Sequence, residues 1–277
     1  MKGKVCLVTG ANTGIGRVTA LELARQGAEV VLMCRSEERT APVVEAIRNE
    51  TGNQAVSFHA LDLSSLAKVK ASAEAYLATD KPIDVLVNNA GVAGWQGTTE
   101  DGFEVHFGVN HLGHFLLTNL LLDRVKSSAP ARIVHVASQA HQRATPIDYD
   151  AIQTKTKTVT GFPEYQVSKL ANVLFSAELS RRLEGTNVNS YALHPGVVAS
   201  DVWRKVPAPF RWIMKKFMIS NEDGAKTTLH CATSDAAANE TGLYYDECKP
   251  KKVNAIATDA AAKELWERSE AFVAGFR

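Results

Sequence analysis

Lys4-Val5-Cys6-Leu7-Val8-Thr9-Gly10-Ala11-Asn12-Thr13-Gly14-Ile15-Gly16 is the stretch that decides the fold of this chain. Its first half is a continuous apolar run without polar alternation, the pattern of a strand covered on both faces of a sheet. Its second half sets three glycines ahead of a helical spacing at Ile15, Val18, Leu21 and Leu23, which ends at Gly27. Gly10 permits a tight turn, Gly14 lets backbone approach a pyrophosphate, and Gly16 lets the helix pack close to the sheet. The free N–H groups and positive dipole end of such a helix suit an anion. Glycines at this spacing also mark ordinary turns; the strand before them and the helix after them favour a phosphate cradle.

Working outward, apolar runs over 29–33, 55–59, 84–87, 132–137 and 188–193 read as further strands, with a seventh candidate over 242–245. Helical spacing covers 37–50, 65–78, 105–126 and 163–184, the third of these interrupted at most locally near Gly108 and Gly113. The stretch 142–161 is polar and threonine-rich and reads as a loop. Strand–helix alternation with right-handed crossovers gives an α/β, doubly wound parallel sheet flanked by helices. No repeat or composition break divides the 277 residues, so one domain over 1–277 is expected.

Composition narrows the function classes. A net charge of +1 provides no global field for nucleic acid. Cys6, Cys34, Cys231 and Cys248 form no CxxC pair, and Cys6 and Cys34 fall inside apolar runs, so free thiols in a reducing compartment are expected. No signal-peptide segment precedes the first strand and no window holds the roughly 18 apolar residues of a membrane span, which leads to an expected cytoplasmic location. His111 and His114 stand three apart on a helix, yet no third ligand or HExxH pattern accompanies them; they read as packing residues, and no metal is expected.

The chain resembles the short-chain dehydrogenase/reductase family through nearly its whole length. The residues that carry the resemblance are TGxxxGIG over 9–16, Asn88-Asn89-Ala90-Gly91 after the fourth strand, Asn110 early in the helix over 105–126, Ser138 just past the fifth strand, and Tyr165-Gln166-Val167-Ser168-Lys169 at a helix start. A tyrosine and a lysine four apart share one helix face. The resemblance implies a single-domain Rossmann-type sheet of about seven strands, with a cofactor half over about 1–135 and a catalytic and substrate half over about 136–277. It also implies Asn110, Ser138, Tyr165 and Lys169 as catalytic residues. A phenol holds its proton to about pH 10, and the Lys169 ammonium would favour the phenolate, so Tyr165 could exchange a proton with a substrate oxygen near neutral pH. Ser138 would hold that oxygen, Lys169 would hold the nicotinamide ribose, and Asn110 would position a water that relays protons from Lys169.

The cofactor expectation is NADP(H). An acid at the end of the second strand would bind the ribose diol of NAD; this chain has Arg35 there, and a guanidinium suits a 2′-phosphate. Arg17 is a second cation near the same place, and Ser36 would assist. The resemblance places the rest of the cofactor on Gly10, Asn12, Thr13, Gly14, Ile15, Gly16, Asp62, Leu63, Asn89, Ala90, Gly91, Tyr165 and Lys169, and on Pro195, Gly196, Val197, Val198 and Ser200 of a PGxxxT-like segment. Asp62 matches the position that contacts adenine and reads equally well as a helix cap; Ser200 likewise reads as a phosphate contact or a cap.

The segment 203–218 carries Trp203, Phe210, Trp212 and Phe217 among five basic residues and no acid. It reads as a lid over the substrate, with peripheral membrane contact as its second reading; Pro207 and Pro209 interrupt an amphipathic face and favour the lid. TGANTGIGR, VNHLGHFLLTNLLL, RIVHVAS followed by Ala140-His141, and YxxSKLAN resemble the retinol dehydrogenase branch, whose members handle lipophilic carbonyls with NADP. Gln139-Ala140-His141 is expected beside the pocket. The resemblance implies a homodimer through helices near 111–127 and 163–184. The rival readings are a general soluble carbonyl or steroid reductase and, from another class, a non-catalytic nucleotide-binding regulatory protein on the same fold.

Overall fold

β1 (Val5–Thr9) is buried along its whole length because its alternate residues feed two different cores. In the computed structural model, which describes residues 1–196 and 219–277, Val5 and Leu7 enter the core on one face of the sheet and Cys6 and Val8 the core on the other. β2 (Glu29–Cys34) repeats this, with Val31 and Met33 against Val30, Leu32 and Cys34, and β4 (Val85–Asn88) does so with Leu86 against Val85 and Val87. Both pleat faces being buried is what makes these strands read as unbroken apolar runs.

With β3 (Val56–Ala60), β5 (Ala131–Val136), β6 (Val188–His194), β7 (Tyr244–Asp246) and β8 (Lys249–Pro250), the order across the sheet is β3-β2-β1-β4-β5-β6-β7-β8. The first seven strands are parallel, in line with the expected count, and the candidate over 242–245 is β7. β8 is an addition the sequence reading lacked: two exposed residues running antiparallel to β7. The turn between them holds Glu247 at φ 51 and Cys248 at φ 60, a left-handed pair normally announced by Asn or Gly. Lys249 and Pro250 suit the open edge of a sheet.

α1 (Gly14–Arg25), α2 (Glu37–Thr51) and α6 (Asn221–Thr233) cover one face. α3 (Leu66–Leu77), α4 (Gly113–Ser127), α5 (Phe162–Arg182) and α7 (Asp259–Val273) cover the other. The helix expected over 105–126 runs unbroken in the structure, and the local interruption expected near Gly108 and Gly113 is a π-helical turn over Phe107–Leu112, where the Gly113 N–H reaches five residues back to the Gly108 carbonyl. Two glycines five apart supply weak helical preference, and Gly113 is pinned by packing: a Cβ there would lie 2.8 Å from the Leu63 carbonyl oxygen.

Residues 168–176 of α5 are all buried within the chain. α7 supplies part of the cover. The Trp266 ring packs on Phe115 of α4 at 5.0 Å and on Phe175 of α5 at 5.8 Å, with the Arg182 guanidinium 4.3 Å from it on the outside.

The four cysteines are free, Cys6, Cys34 and Cys231 buried and Cys248 half-buried. Among the described residues no helix is long and apolar enough to cross a membrane. The expectations for Val197, Val198, Ser200 and the segment 203–218 lie outside the described residues.

Candidate active site

Strand order reverses between β1 and β4, and a crevice opens beyond the carboxyl ends of strands at such a switch point. Here it is a cleft of about 240 Å³. Gly10, Asn12, Thr13, Gly14, Ile15 and Gly16 line one end, Asn89, Ala90 and Gly91 its middle, and Tyr165, Lys169 and Pro195 the other end. Val92, Trp95, Val136 and Ala137 also line it. The sequence reading missed these four. Their signal was positional: they follow β4, or end β5, at the strand ends that flank the switch point.

The glycine turn is built by close approach. Gly10 sits at φ 65, and a Cβ on it would lie 2.9 Å from Ala90 Cα. A Cβ on Gly16 would fall on the Asn89 amide and 2.5 Å from the Gly10 carbonyl oxygen. That amide donates to the Thr9 carbonyl at 2.8 Å, while the Thr9 hydroxyl accepts the N–H groups of Asn89 and Ala90, each at 2.9 Å. With its lone pairs taken, the hydroxyl donates to His114 Nε2 at 2.9 Å, and His114 Nδ1–H donates to the Asn110 carbonyl at 3.0 Å. The imidazole is therefore neutral, and burial lowers its pKa to about 4. Thr13, which precedes α1, makes no side-chain capping bond, so the first-turn N–H groups have no side-chain partner from that residue. A tight backbone cradle at a helix N-terminus fits a pyrophosphate.

At the other end Tyr165 and Lys169 stand one turn apart on α5, both buried. The Tyr165 phenol is hydrogen-bonded to the Ser138 hydroxyl, which also accepts from Ala140 N at 3.1 Å. Lys169 Nζ donates to the Val136 carbonyl at 2.8 Å and lies 5.7 Å from the centre of the Tyr165 ring. Asn110, in the π turn, grips Val92 from both sides: its Oδ1 accepts Val92 N at 2.8 Å and its Nδ2 donates to Val92 O at 3.0 Å. The same Nδ2 reaches Ser168 Oγ at 2.9 Å, and Ser168 donates to the Tyr165 carbonyl at 2.8 Å. A Cβ on Gly91 would lie 3.2 Å from Asn110 Oδ1 and 3.5 Å from Lys169 Nζ. The structure thus brings the four expected residues together, with Asn110 buried behind the lining residue Val92 and the half-buried Ser138 bonded to Tyr165.

Burial drives the two titrating groups apart. It raises the Tyr165 phenol to about 12, against the pull of the Ser138 bond, and lowers Lys169 to about 7. The expectation that Lys169 holds the phenol below its ordinary value is corrected in this state. Desolvation outweighs the neighbour's field, and an amine pushed toward neutrality carries less charge to exert one.

The remaining expectations fall outside the cleft lining. Arg35 and Arg17 are exposed, and neither joins an ion pair among the described residues. Ser36 is committed to capping α2, accepting from Arg39 N at 3.3 Å. Asp62 Oδ1 accepts from Ser64 N at 3.1 Å and Ser64 Oγ at 2.6 Å, a local turn ahead of α3; the cap expected of it is corrected, since Ser65 holds the N-cap position and the Leu66 N–H goes to Asp101. Leu63 is buried beneath Gly113. Gly196 sits at φ 87 beyond Pro195. His141 does not line the cleft: it is buried against Tyr244, ring centres 4.5 Å apart, and its Nδ1–H donates to the Ser138 carbonyl at 2.7 Å. His111 turns away from His114 to Ser269 Oγ at 2.9 Å.

Comparison with known proteins agrees with this geometry. The short chain dehydrogenase family model matches residues 4–209. Human retinol dehydrogenase 11 is 44% identical over 275 residues, covering 97% of this chain and 85% of that protein. Among solved structures, an uncharacterized protein from Mycobacterium paratuberculosis has a TM-score of 0.79 at 32% identity, covering 99% of this chain and 94% of its own. The RhlG/NADP complex of Pseudomonas aeruginosa has a TM-score of 0.70 at 26% identity, covering 88% and 94%. The chain belongs to the short-chain dehydrogenase family of oxidoreductases, and within it is similar to the retinol dehydrogenases.

Proposed function

We propose that this chain is an NADP(H)-dependent oxidoreductase that interconverts a lipophilic aldehyde or ketone and its alcohol, with a retinal/retinol-like substrate favoured. The observation that carries the reading is the buried Tyr165–Lys169 pair, with the half-buried Ser138 hydroxyl on the phenol, at one end of a cleft whose other end has the geometry of a phosphate cradle. In this reading residues 1–135 hold most of the cofactor, and residues 136–277 carry the chemistry and the substrate. Support for NADP(H) over NAD comes from Arg35, where an acid would bind a ribose diol, from the exposed Arg17, and from the NADP complex of a structural relative. Support for a lipophilic substrate comes from the similarity to retinol dehydrogenases and from Trp95 beside the reaction end.

The nicotinamide cofactor supplies or accepts the hydride when bound. With its phenol at about 12, Tyr165 keeps its proton at neutral pH and can donate it to a carbonyl oxygen. The Ser138 hydroxyl, already bonded to that phenol, holds the same oxygen. Lys169, fixed by Val136, is placed beside Gly91 to meet a ribose hydroxyl and to carry a compensating proton. Asn110 holds the Val92 backbone and Ser168, and so fixes the floor of the cleft against α5.

The test is titration with NADPH and NADH, followed by nicotinamide absorbance with all-trans-retinal and a panel of small aldehydes and ketones. Tighter NADPH binding and fast turnover of retinal support the reading. Turnover of small carbonyls alone moves it to a general carbonyl or steroid reductase. Cofactor binding without any turnover moves it to a nucleotide-binding regulatory protein. Tighter NADH binding overturns the role of Arg35. A cytoplasmic location belongs to this proposal as well.

A further inference from the structure

Beside the reaction end lies a buried pair that the mechanism above does not use. Glu104 and His106 are 3% and 0% exposed. Among the described residues no lysine or arginine pairs with the Glu104 carboxylate. It accepts four hydrogen bonds instead: His106 N at 2.8 Å, Phe107 N at 3.0 Å, Thr156 Oγ at 2.6 Å and His106 Nδ1 at 2.8 Å. Two of these donors are first-turn N–H groups of the helical segment that leads into the π turn, where a carboxylate is favoured. Donation from Nδ1 fixes the imidazole tautomer and leaves Nε2 as an acceptor, and the Trp95 backbone N–H lies 3.3 Å from it.

The same ring wedges between three parts of the site. Besides the Trp95 backbone it meets Gly161, where a Cβ would come within 2.8 Å of His106 Cε1 and 2.7 Å of the Trp95 carbonyl oxygen. Gly161 in turn accepts the Tyr165 N–H at 3.0 Å. The imidazole also meets Tyr165 edge-on, ring centres 6.2 Å apart. Thr156, held by Glu104, closes the far side of the loop by exchanging hydrogen bonds with Gly97, each 3.2 Å. Trp95 therefore lines the cleft from a backbone tethered through one imidazole to the start of the tyrosine's own helix.

We infer that His106 is a positioning residue: oriented by Glu104, it sets the distance between the Trp95 wall and Tyr165, and through that distance it sets the preference for bulky over small carbonyl substrates. The inference rests on the proposed carbonyl–alcohol activity. It requires a histidine in particular, since one group must donate to Glu104 and accept from Trp95 at once. A phenylalanine of similar shape would leave a carboxylate and a backbone N–H each short of a partner.

Two substitutions divide the functions of the ring. His106→Asn can retain the donor toward Glu104 and lacks reach to Trp95; His106→Gln can place its oxygen against the Trp95 N–H. The experiment compares kcat and KM for all-trans-retinal and for a small aldehyde such as propanal, with NADPH affinity measured separately. For His106→Asn the expected result is a rise in KM for retinal of about tenfold, with the small aldehyde and NADPH affinity changed by less than about twofold. His106→Gln should recover much of the loss. Trp95→Ala, on a half-exposed loop, should shift the preference the same way, and adding it to His106→Asn should produce no further shift. Equal losses for both substrates, or an unchanged preference in Trp95→Ala, would overturn the inference, and the second holds even where His106→Asn does not fold. Absence of turnover by the wild-type enzyme would instead count against the proposed activity.

Discussion

Tyr165 and Lys169 are shifted in opposite directions by one cause, the withdrawal of water, and each shift carries a prediction. Tyr165→Phe should lower kcat for carbonyl reduction by about 10³-fold while NADPH affinity, read by fluorescence titration, stays within about twofold. A variant that retained more than a tenth of wild-type kcat would remove Tyr165 from the proton step. Lys169 is an amine brought to about 7 by burial, so its charged form is strained in the fold. Lys169→Met should abolish turnover and yet stabilise the protein by about 1 kcal/mol in denaturant melts near neutral pH; a loss of stability would show that the bond to Val136 outweighs the desolvation. At this scale the sequence was informative where chemistry fixes spacing. Asn110, Ser138, Tyr165 and Lys169 were legible in their order, as was the cradle over 9–16. Trp95 and His106 were not, because their roles rest on contacts across the chain: Trp95 to His106, Glu104 to Thr156, and the His106 ring to Gly161. The direction of the Tyr165 shift was missed for the same reason, since desolvation depends on what is packed around a group.

The π turn ahead of α4 is held at the element scale by one close approach. Gly113→Ala would set a methyl 2.8 Å from the Leu63 carbonyl, with backbone on both sides of the contact. The expected cost is about 1–3 kcal/mol by denaturant unfolding. Because Asn110 lies in that turn, NADPH turnover should fall as well. A neutral substitution would mean that α4 and the 61–65 segment separate freely. Strand and helix existence was readable from periodicity, since both faces of β1, β2 and β4 are buried and the main helices are long. The π turn was not: one inserted residue in a single turn changes no periodicity that 22 residues can display. β8 was hidden by its two-residue length and by a hairpin turn lacking the usual glycine or asparagine.

For the whole molecule, three histidines buried on the same side of the sheet set the acid limit of stability. His111 and His135 are lowered to about 3 and His114 to about 4, in each case mainly by burial. The folded state therefore binds these protons less readily than the unfolded state, whose histidines titrate near 6.5. Their contribution is fully present above about pH 6.5 and is lost as pH falls from there toward about 3, together on the order of several kcal/mol or more. The thermal midpoint should drop steeply between pH 6.5 and 4.5. A flat profile over that window would mean that the three rings, once protonated, find hydrogen-bond acceptors in the native state.

The cover that α7 lays over α4 and α5 has a consequence for how the protein is made. α7 leaves the ribosome after every element it packs upon, so the rings of Phe115 and Phe175 are synthesised well over eighty residues before the Trp266 that closes on them. Until then one side of the sheet is an unfinished apolar surface, the state in which a nascent chain most needs a holding chaperone.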